Sequence, residues 1–480
     1  MLGRQPRPLL QLHDEVVVDE ILTRLPPGDA VRCRAVCRAW NAALTSERFL
    51  LAHRARSAAA RQPELLFSVP AAGGGTSLYT CTLRGDGSAA RELLTLAGAE
   101  HVEVMSPRPC HGLTLILDAQ AAAAAAASSE QCCYYVCNLS TGEHVALPPC
   151  ERQAATVQPP IPPMRIGMAG NNCLRFPPWS PLELSSTGLG AATGGEHKVV
   201  RLFKSHPTGE TSCDVCTREE AGGRWRWRWR WRPCAGRVPP PAAGFVACLP
   251  PVSLGGSLCW LLANNNQQQQ QQQQPIIMSL SVGAEQFGWV HMPPLLARRI
   301  GHLTDLDGSL CAVADLRFDA ERYALFTWTG TGTSSSSWSM RCSINLQSLP
   351  PAISDEFVDE QLVIPLCTAA GKLLLSTGRH KVFAYDPERL TMERVFYARE
   401  FVHVPRDARL LLNVGLHEES IATVHQHGGG NSRLQVKMGT TVVARRKVPH
   451  DEYRDRHFSR LRDLFNDLAA GLPLNAATNC

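Results

Sequence analysis

Residues 12–53 read LHDEVVVDEILTRLPPGDAVRCRAVCRAWNAALTSERFLLAH. From Asp14 to Leu25, the residues Val18, Ile21, Leu22 and Leu25 recur at i, i+3, i+4 and i+7. That spacing gathers them on one face of a helix and leaves Glu15, Asp19, Glu20 and Arg24 off it. Pro26 and Pro27 stop this helix. Asp29 is placed to accept the free N–H groups of a second helix, in which Cys33, Val36, Cys37 and Trp40 repeat the apolar spacing. Arg32, Arg34 and Arg38 fall on its other faces, and Ser46 is a cap for a short third helix carrying Phe49 and Leu50. Helices totalling about 40 residues are too few to bury a generous core. Such a unit is expected to leave apolar surface for a partner.

The pattern resembles the F-box. The residues that carry the resemblance are Leu12 with Asp14, the Ile21-Leu22 pair, the Arg24-Leu25-Pro26 turn, and Val36-Cys37-Arg38-Ala39-Trp40 followed by Phe49 and His53. Where the family usually has proline after the first leucine, this chain has His13. The resemblance implies docking on a Skp-type adaptor and, through it, on a cullin-based ubiquitin ligase. The adaptor-binding residues it implies are Leu12, Asp14, Ile21, Leu22, Leu25, Pro26, Val36, Cys37 and Trp40, some of which must instead form the small core. The plainer alternative is a helical cap that packs on the following domain.

The chain has 480 residues, room for this module and one large body. Lys and Arg number 48 against 43 Asp and Glu, so no long-range field gathers nucleic acid over a whole surface. The 18 cysteines come without a signal-peptide stretch or a long apolar run, which reads as reduced thiols in a cytoplasmic or nuclear protein with no membrane segment. In that setting the Asn138-Leu139-Ser140 triplet is not a glycosylation acceptor.

From Pro63 onward, short strand-like runs alternate with Gly, Pro, Asp and Asn clusters, for example at 65–67, 78–81, 114–117, 134–137, 257–262, 310–314, 372–376, 382–385 and 410–414. The region is too long for one sandwich. Four-stranded blades of roughly 40 to 50 residues would accommodate it as about six. Several phrases, in order, resemble the F-box-associated domain of plant F-box proteins. They are Val136-Cys137-Asn138-Leu139-Ser140-Thr141-Gly142 leading to Leu147-Pro148-Pro149, His197 to Phe203, Val252 to Leu262 with Gly256 and Trp260, Phe287-Gly288-Trp289, Leu306 to Cys311, and Val382 to Asp386. This implies a Kelch-like, propeller-type β domain. Trp260, Trp289, Trp328 and Trp338 read as packing residues between sheets.

Ala121 to Ala127, Gln267 to Gln274 and Ser334 to Ser337 read as loop expansions, and 158–163 and 239–241 as extended connectors. In the RWRWRWRWR run at 224–232, alternation puts Trp225, Trp227, Trp229 and Trp231 on one strand face and the arginines on the other. A lone strand offers no groove for a nucleic acid, so the run reads as a hairpin strand with one packed and one solvated face. Residues 451–470 carry Leu461, Leu464, Phe465 and Leu468 at helical spacing, with Gly471 and Pro473 after them.

Catalytic signatures are absent: there is no His-Glu-x-x-His, Gly-x-Ser-x-Gly, phosphate loop or dinucleotide fingerprint, and Gly188-Leu189-Gly190 is followed by the wrong spacing. Cys213 and Cys216 have the gap of a zinc pair, but a strand points their sulfurs to opposite faces. Cys311 has no convincing base. The expectation is an α+β multidomain chain: a small N-terminal three-helix F-box (8–57), a large all-β propeller-like domain (63–449), and a C-terminal helix and tail (450–480). Its expected role is a non-catalytic substrate receptor of an SCF-type ubiquitin ligase, without metal or cofactor, holding an unidentified target protein on the β domain. The alternatives are a propeller scaffold without ligase assembly and a propeller enzyme with a central site.

Overall fold

Strands in the body of the chain carry buried side chains on both faces. Ser185–Ala191 is buried throughout, and His197–Lys204 everywhere but at its ends. Strands of this kind form where a sheet is covered on both sides, and here each sheet is covered by its neighbours in a ring. The computed structural model describes residues 17–446, except 61–62, 72, 84–88, 101, 119–133, 151–155, 158–181, 184, 206–207, 221–226, 246–248, 263–276, 298, 331–336, 359–362, 378–379, 403–413 and 425–433. The expected C-terminal helix, the Ala and Gln runs, Ser334 to Ser336 and the 158–163 connector lie outside the described residues.

The described residues form a six-bladed β-propeller of antiparallel sheets. Blade II contains Val102–Val104, Thr114–Asp118, Tyr134–Cys137 and His144–Ala146, and blade III contains Ser185–Ala191, His197–Lys204, Thr211–Glu220 and Trp227–Pro233. Blade IV contains Val252–Leu254, Ser257–Leu261, Ile277–Ser281 and Gln286–Val290. Blade V contains Ile300–Leu306, Ser309–Leu316, Arg322–Thr329 and Ser337–Asn345, and blade VI contains Val363–Ala369, Lys372–Thr377, Lys381–Asp386 and Thr391–Tyr397. In blades III to VI the first strand lies innermost, against the first strand of the next blade in this series.

Blade I closes the ring with strands from both ends of the propeller. Glu64–Pro70, Thr76–Thr82 and Ala89–Ala97 take Val414–His417 as their inner strand, in a register that pairs Glu64 with His417 and Phe67 with Val414. Gln435–Met438 and Val442–Ala444 then pair with the outer edge of Ala89–Ala97.

A separate apolar cluster fills each gap between blades. Phe67 of blade I meets Phe396 of blade VI with ring centroids 5.1 Å apart. Phe357 and Phe383 sit 4.9 Å apart in the cluster between blades V and VI. Trp260 packs between blades III and IV together with Trp289, while Trp328 and Trp338 pair across strands in the cluster between IV and V. Trp229 and Trp231 pack toward blade II and Arg228 and Arg230 are exposed, as the alternation predicts, whereas Arg232 at the end of the run is half-buried and paired with Glu285. Trp225 lies outside the described residues. Cys216 faces blade II and Cys213 faces blade IV, on opposite sides of one strand.

Blades IV, V and VI turn from first to second strand over Gly255-Gly256, Asp307-Gly308 and Ala370-Gly371, with φ near +50° and then near +80° in each. These are two-residue turns whose twist matches the strands they join. In blade II the same connection is the longer segment 105–113, with consequences for the channel described below.

The N-terminal module departs in detail from the expected helices. Val17–Ile21 is a π-helical turn continued by a 3-10 turn at Leu22–Arg24, instead of one α-helix. Helix α1 (Pro27–Cys33) has Pro26 at its N-cap, and Asp29 serves instead as a first-turn acid, paired with Arg32 at 3.0 Å. The expected second helix breaks after Cys33. Cys37 is fully extended (φ −159°, ψ 167°), and its Sγ accepts the Trp40 N–H at 3.4 Å to cap α2 (Arg38–Leu44). Helix α3 (Glu47–Ala60) starts as expected after Ser46, whose Oγ accepts the Phe49 N–H at 3.3 Å.

Candidate functional site

The module's core is Leu22, Ala30, Leu44 and Phe49, with Val17, Val18, Leu25, Val31, Cys33, Trp40 and Leu50 partly buried around them. His53, also buried, donates from Nε2 to the Leu25 carbonyl at 2.9 Å and so ties α3 to the Leu-Pro turn. Glu20 bonds Arg24 at 3.3 Å and Arg56 at 3.2 Å, and Arg56 above all holds its carboxyl below the usual range.

The adaptor-binding residues implied by resemblance divide into three groups. Leu22 is buried in the core, while Leu25 and Trp40 are half-buried against it. Ile21 is 43% exposed and Val36 63% exposed, and Pro26 and Cys37 are exposed as well. Leu12, Asp14 and the departing His13 lie outside the described residues. Leu51, at 49% exposure, is a further outward apolar side chain on α3 that periodicity alone did not single out.

The module is mounted on one face of the propeller by residues 418–424, the strap that follows the ring-closing strand. Ile421 from this strap is 2% exposed and belongs to the module's own core. Arg34, at the end of α1, donates to the Ile421 carbonyl at 2.5 Å and to that of Leu44 at 3.4 Å. Arg54 of α3 donates to Glu418 at 2.9 Å. From the other side, the Asn138 amide of the blade II hairpin donates to the carbonyls of Ser420 (3.0 Å) and Ala422 (2.7 Å), and its oxygen accepts from the Ser140 and Thr141 N–H groups. Asn138 is 0% exposed with these bonds made, so the folded protein offers no acceptor for a glycan there.

The same face carries a cover over the central channel. Segment 105–113 reaches from blade II to all five other blades. Pro107 accepts the Leu416 N–H of blade I at 2.7 Å, His197 of blade III donates to the Cys110 carbonyl at 3.2 Å, and the Cys110 thiol meets Ser253 of blade IV at 3.5 Å. Arg108 lies 3.5 Å from Asp305 of blade V and donates from Nε and Nη2 to the Leu366 carbonyl of blade VI. Gly188, on the inner strand beside it, has no room for a side chain because Pro251 occupies the space. The Gly-Leu-Gly sequence there is an axial packing device.

Among the described residues, no group of three or more His, Cys, Asp and Glu is arranged to hold a metal. Burial pushes the Cys311 thiol up to about 12, which disfavours the thiolate a nucleophile needs. Burial also holds His302 and His380, which are core residues, and His197, half-buried beside segment 105–113, down at about 4. Between blades III and IV, Glu285 bonds Lys198 at 2.9 Å and both Nη atoms of Arg232, which with the Ala235 N–H holds its carboxyl at about 2. That cluster is an inter-blade lock. Among the described residues no helix is long and apolar enough to cross a membrane.

Residues 9–51 match the F-box domain model. No curated protein matches the chain. Among solved structures, the tricorn protease is similar at 9% identity with a TM-score of 0.33, over 72% of this chain and 27% of that one, so this chain spans about a quarter of its length. The β-propeller domain of the Trilobed protease from Pyrococcus furiosus is similar at 10% identity and a TM-score of 0.27, over 73% of this chain and 96% of that domain. Apo AztD from Citrobacter koseri is similar at 10% identity and a TM-score of 0.26, over 73% of this chain and 74% of that one. Likenesses this distant carry no inference about activity. The chain carries an F-box domain at residues 9–51, followed by an all-β, six-bladed propeller.

Proposed function

We propose that this protein is the substrate-recognition subunit of an SCF-type ubiquitin ligase. F-box domains bind Skp-type adaptors, and the F-box at 9–51 is the observation that carries the reading. In this account Ile21, Val36 and Cys37 meet the adaptor, Leu22 supports them from the core, and cullin is reached through the adaptor. The propeller holds a target protein. Because the F-box, the strap and segment 105–113 occupy one face, the target is assigned to the rim or the opposite face. The protein itself is non-catalytic: it raises the ubiquitination rate by holding the target near a charged ubiquitin carrier, which replaces a free encounter with a high local concentration. The phrases from Val136 to Asp386 support placing the β domain with the Kelch-like F-box-associated domains of plants, acting in the cytoplasm or nucleus.

Reconstitution tests the reading. The full-length protein, mixed with a purified Skp-type adaptor and cullin, is expected to co-elute with both in size-exclusion chromatography. Elution of a folded protein apart from the adaptor would contradict it.

A further inference from the structure

The strap at 418–424 is held by two bodies at once. On the propeller side its backbone is fixed by Asn138, by the Ser420 N–H donating to Ser140 Oγ at 2.9 Å, and by the Val424 N–H donating to Glu143 at 3.0 Å. Just upstream, Val414–His417 is the strand that closes the ring. On the F-box side, Ile421 is one of five fully buried core residues, the others being Leu22, Ala30, Leu44 and Phe49. Arg34 joins the Ile421 and Leu44 carbonyls and so ties α1, α2 and the strap at one point. A unit this small has little core to spare. Here a fifth of its fully buried set is supplied from a position nearly four hundred residues downstream.

We propose that the F-box of this chain is a composite fold completed by Ile421, so that its adaptor-binding shape forms only when the propeller ring is closed. Ile421 acts as a positioning residue: it supports α1 and α2 from beneath while Ile21 and Val36 face outward. A chain whose ring has not closed lacks Val414–His417 in place, leaves the strap with its blade II bonds alone and so holds Ile421 loosely against the F-box core. Adaptor binding is thereby made conditional on a finished propeller, and the closed ring sets the angle at which the adaptor is carried. The structural half of the proposal is independent of the ligase reading, and the functional half rests on it.

Hydrogen exchange on the full-length protein separates the two. Ile421→Ala is expected to speed amide exchange in α2 and α3 by about thirtyfold or more, the scale set by deleting a buried branched side chain. Ile421→Asp is expected to go further and Ile421→Val to stay near wild type, while the inner strands of blades IV and V exchange as before. Affinity for a purified Skp-type adaptor is expected to fall in the same order and to be restored by Ile421→Val. Unchanged exchange in α2 and α3 of the Ile421→Asp protein would overturn the proposal, as would equal loosening of blades IV and V. If the helices loosen as expected while even the wild-type chain fails to bind the adaptor, the composite fold stands and the ligase reading falls.

Discussion

The guanidinium of Arg108, in blade II, donates two hydrogen bonds to the carbonyl of Leu366, in blade VI, at 3.1 and 3.2 Å. The contact joins blade II to blade VI and is reinforced by Asp305 and Asp307 of blade V at 3.5 and 3.8 Å. Charge-assisted bonds of this type contribute about 1.5–3 kcal/mol when partly shielded from water. Arg108→Ala is therefore expected to lower stability by about 2 kcal/mol in urea unfolding. Arg108→Lys keeps the charge but not the fork, and it should recover less than half of that loss.

Asn138 is a second junction. Removing its amide leaves two strap carbonyls and two hairpin N–H groups without their buried partner. Asn138→Ala should cost about 2–4 kcal/mol in urea unfolding. Asn138→Asp should cost more, despite its matching shape, because it sets a carboxylate against the carbonyls of Ser420 and Ala422.

The buried histidines predict acid sensitivity. His197, His302 and His380 are held near 4 by burial, against 6.5 for the free side chain. Below pH 6.5 the unfolded chain takes up protons that the folded chain refuses until about pH 4. Stability from these groups is thus whole above 6.5 and falls as the pH drops toward 4. The urea midpoint of the wild-type protein should decline across that window, and His302→Gln should decline less steeply.

Glu285 works in a lower window. Its carboxyl is held at about 2 against an ordinary 4.5, so its contribution is complete above 4.5 and is lost as the pH falls toward 2. Glu285→Gln removes the carboxylate that Lys198 and Arg232 share, leaving Lys198 only the longer contact to Glu196 at 4.0 Å, and should cost about 3 kcal/mol at pH 7. The gap between wild type and variant should narrow steadily as the pH is lowered from 4.5.

Much of this architecture was legible in local signals. The Leu-Pro turn, the Ser46 cap, the Asp307-Gly308 turn and the alternating Trp-Arg strand each depend on residues a few positions apart. The inner strands were harder. Ser185–Ala191 is rich in small residues because blades crowd the axis, and it looked like a failed nucleotide loop. The break between Cys33 and Arg38 was hidden because the apolar spacing from Cys33 to Trp40 continues straight through it, while the backbone leaves the helix in a turn at 34–36 and is extended at Cys37. Asn138 was legible as part of a turn phrase but not as a partner of the strap, and Ile421 had no readable signal at all. Arg34 meets the Ile421 carbonyl across 387 positions of sequence, and no periodicity within 418–424 marks the strap as part of a helical core. Of the nine residues proposed for the adaptor surface, the structure turns four outward and leaves three in or against the core, a division that helical spacing cannot make for so short a unit.

Val36, at 63% exposure, is the most exposed of the outward apolar residues of the F-box, so a substitution there tests docking on a Skp-type adaptor. The direct measurement is an equilibrium titration of a purified Skp-type adaptor against the full-length protein and its Val36→Asp variant, each checked by urea unfolding. Saturable binding by the wild type and a loss of about tenfold or more in the variant, with the unfolding midpoint unchanged, are the expected results. No binding by the folded wild-type protein, or equal binding by both, would contradict such docking.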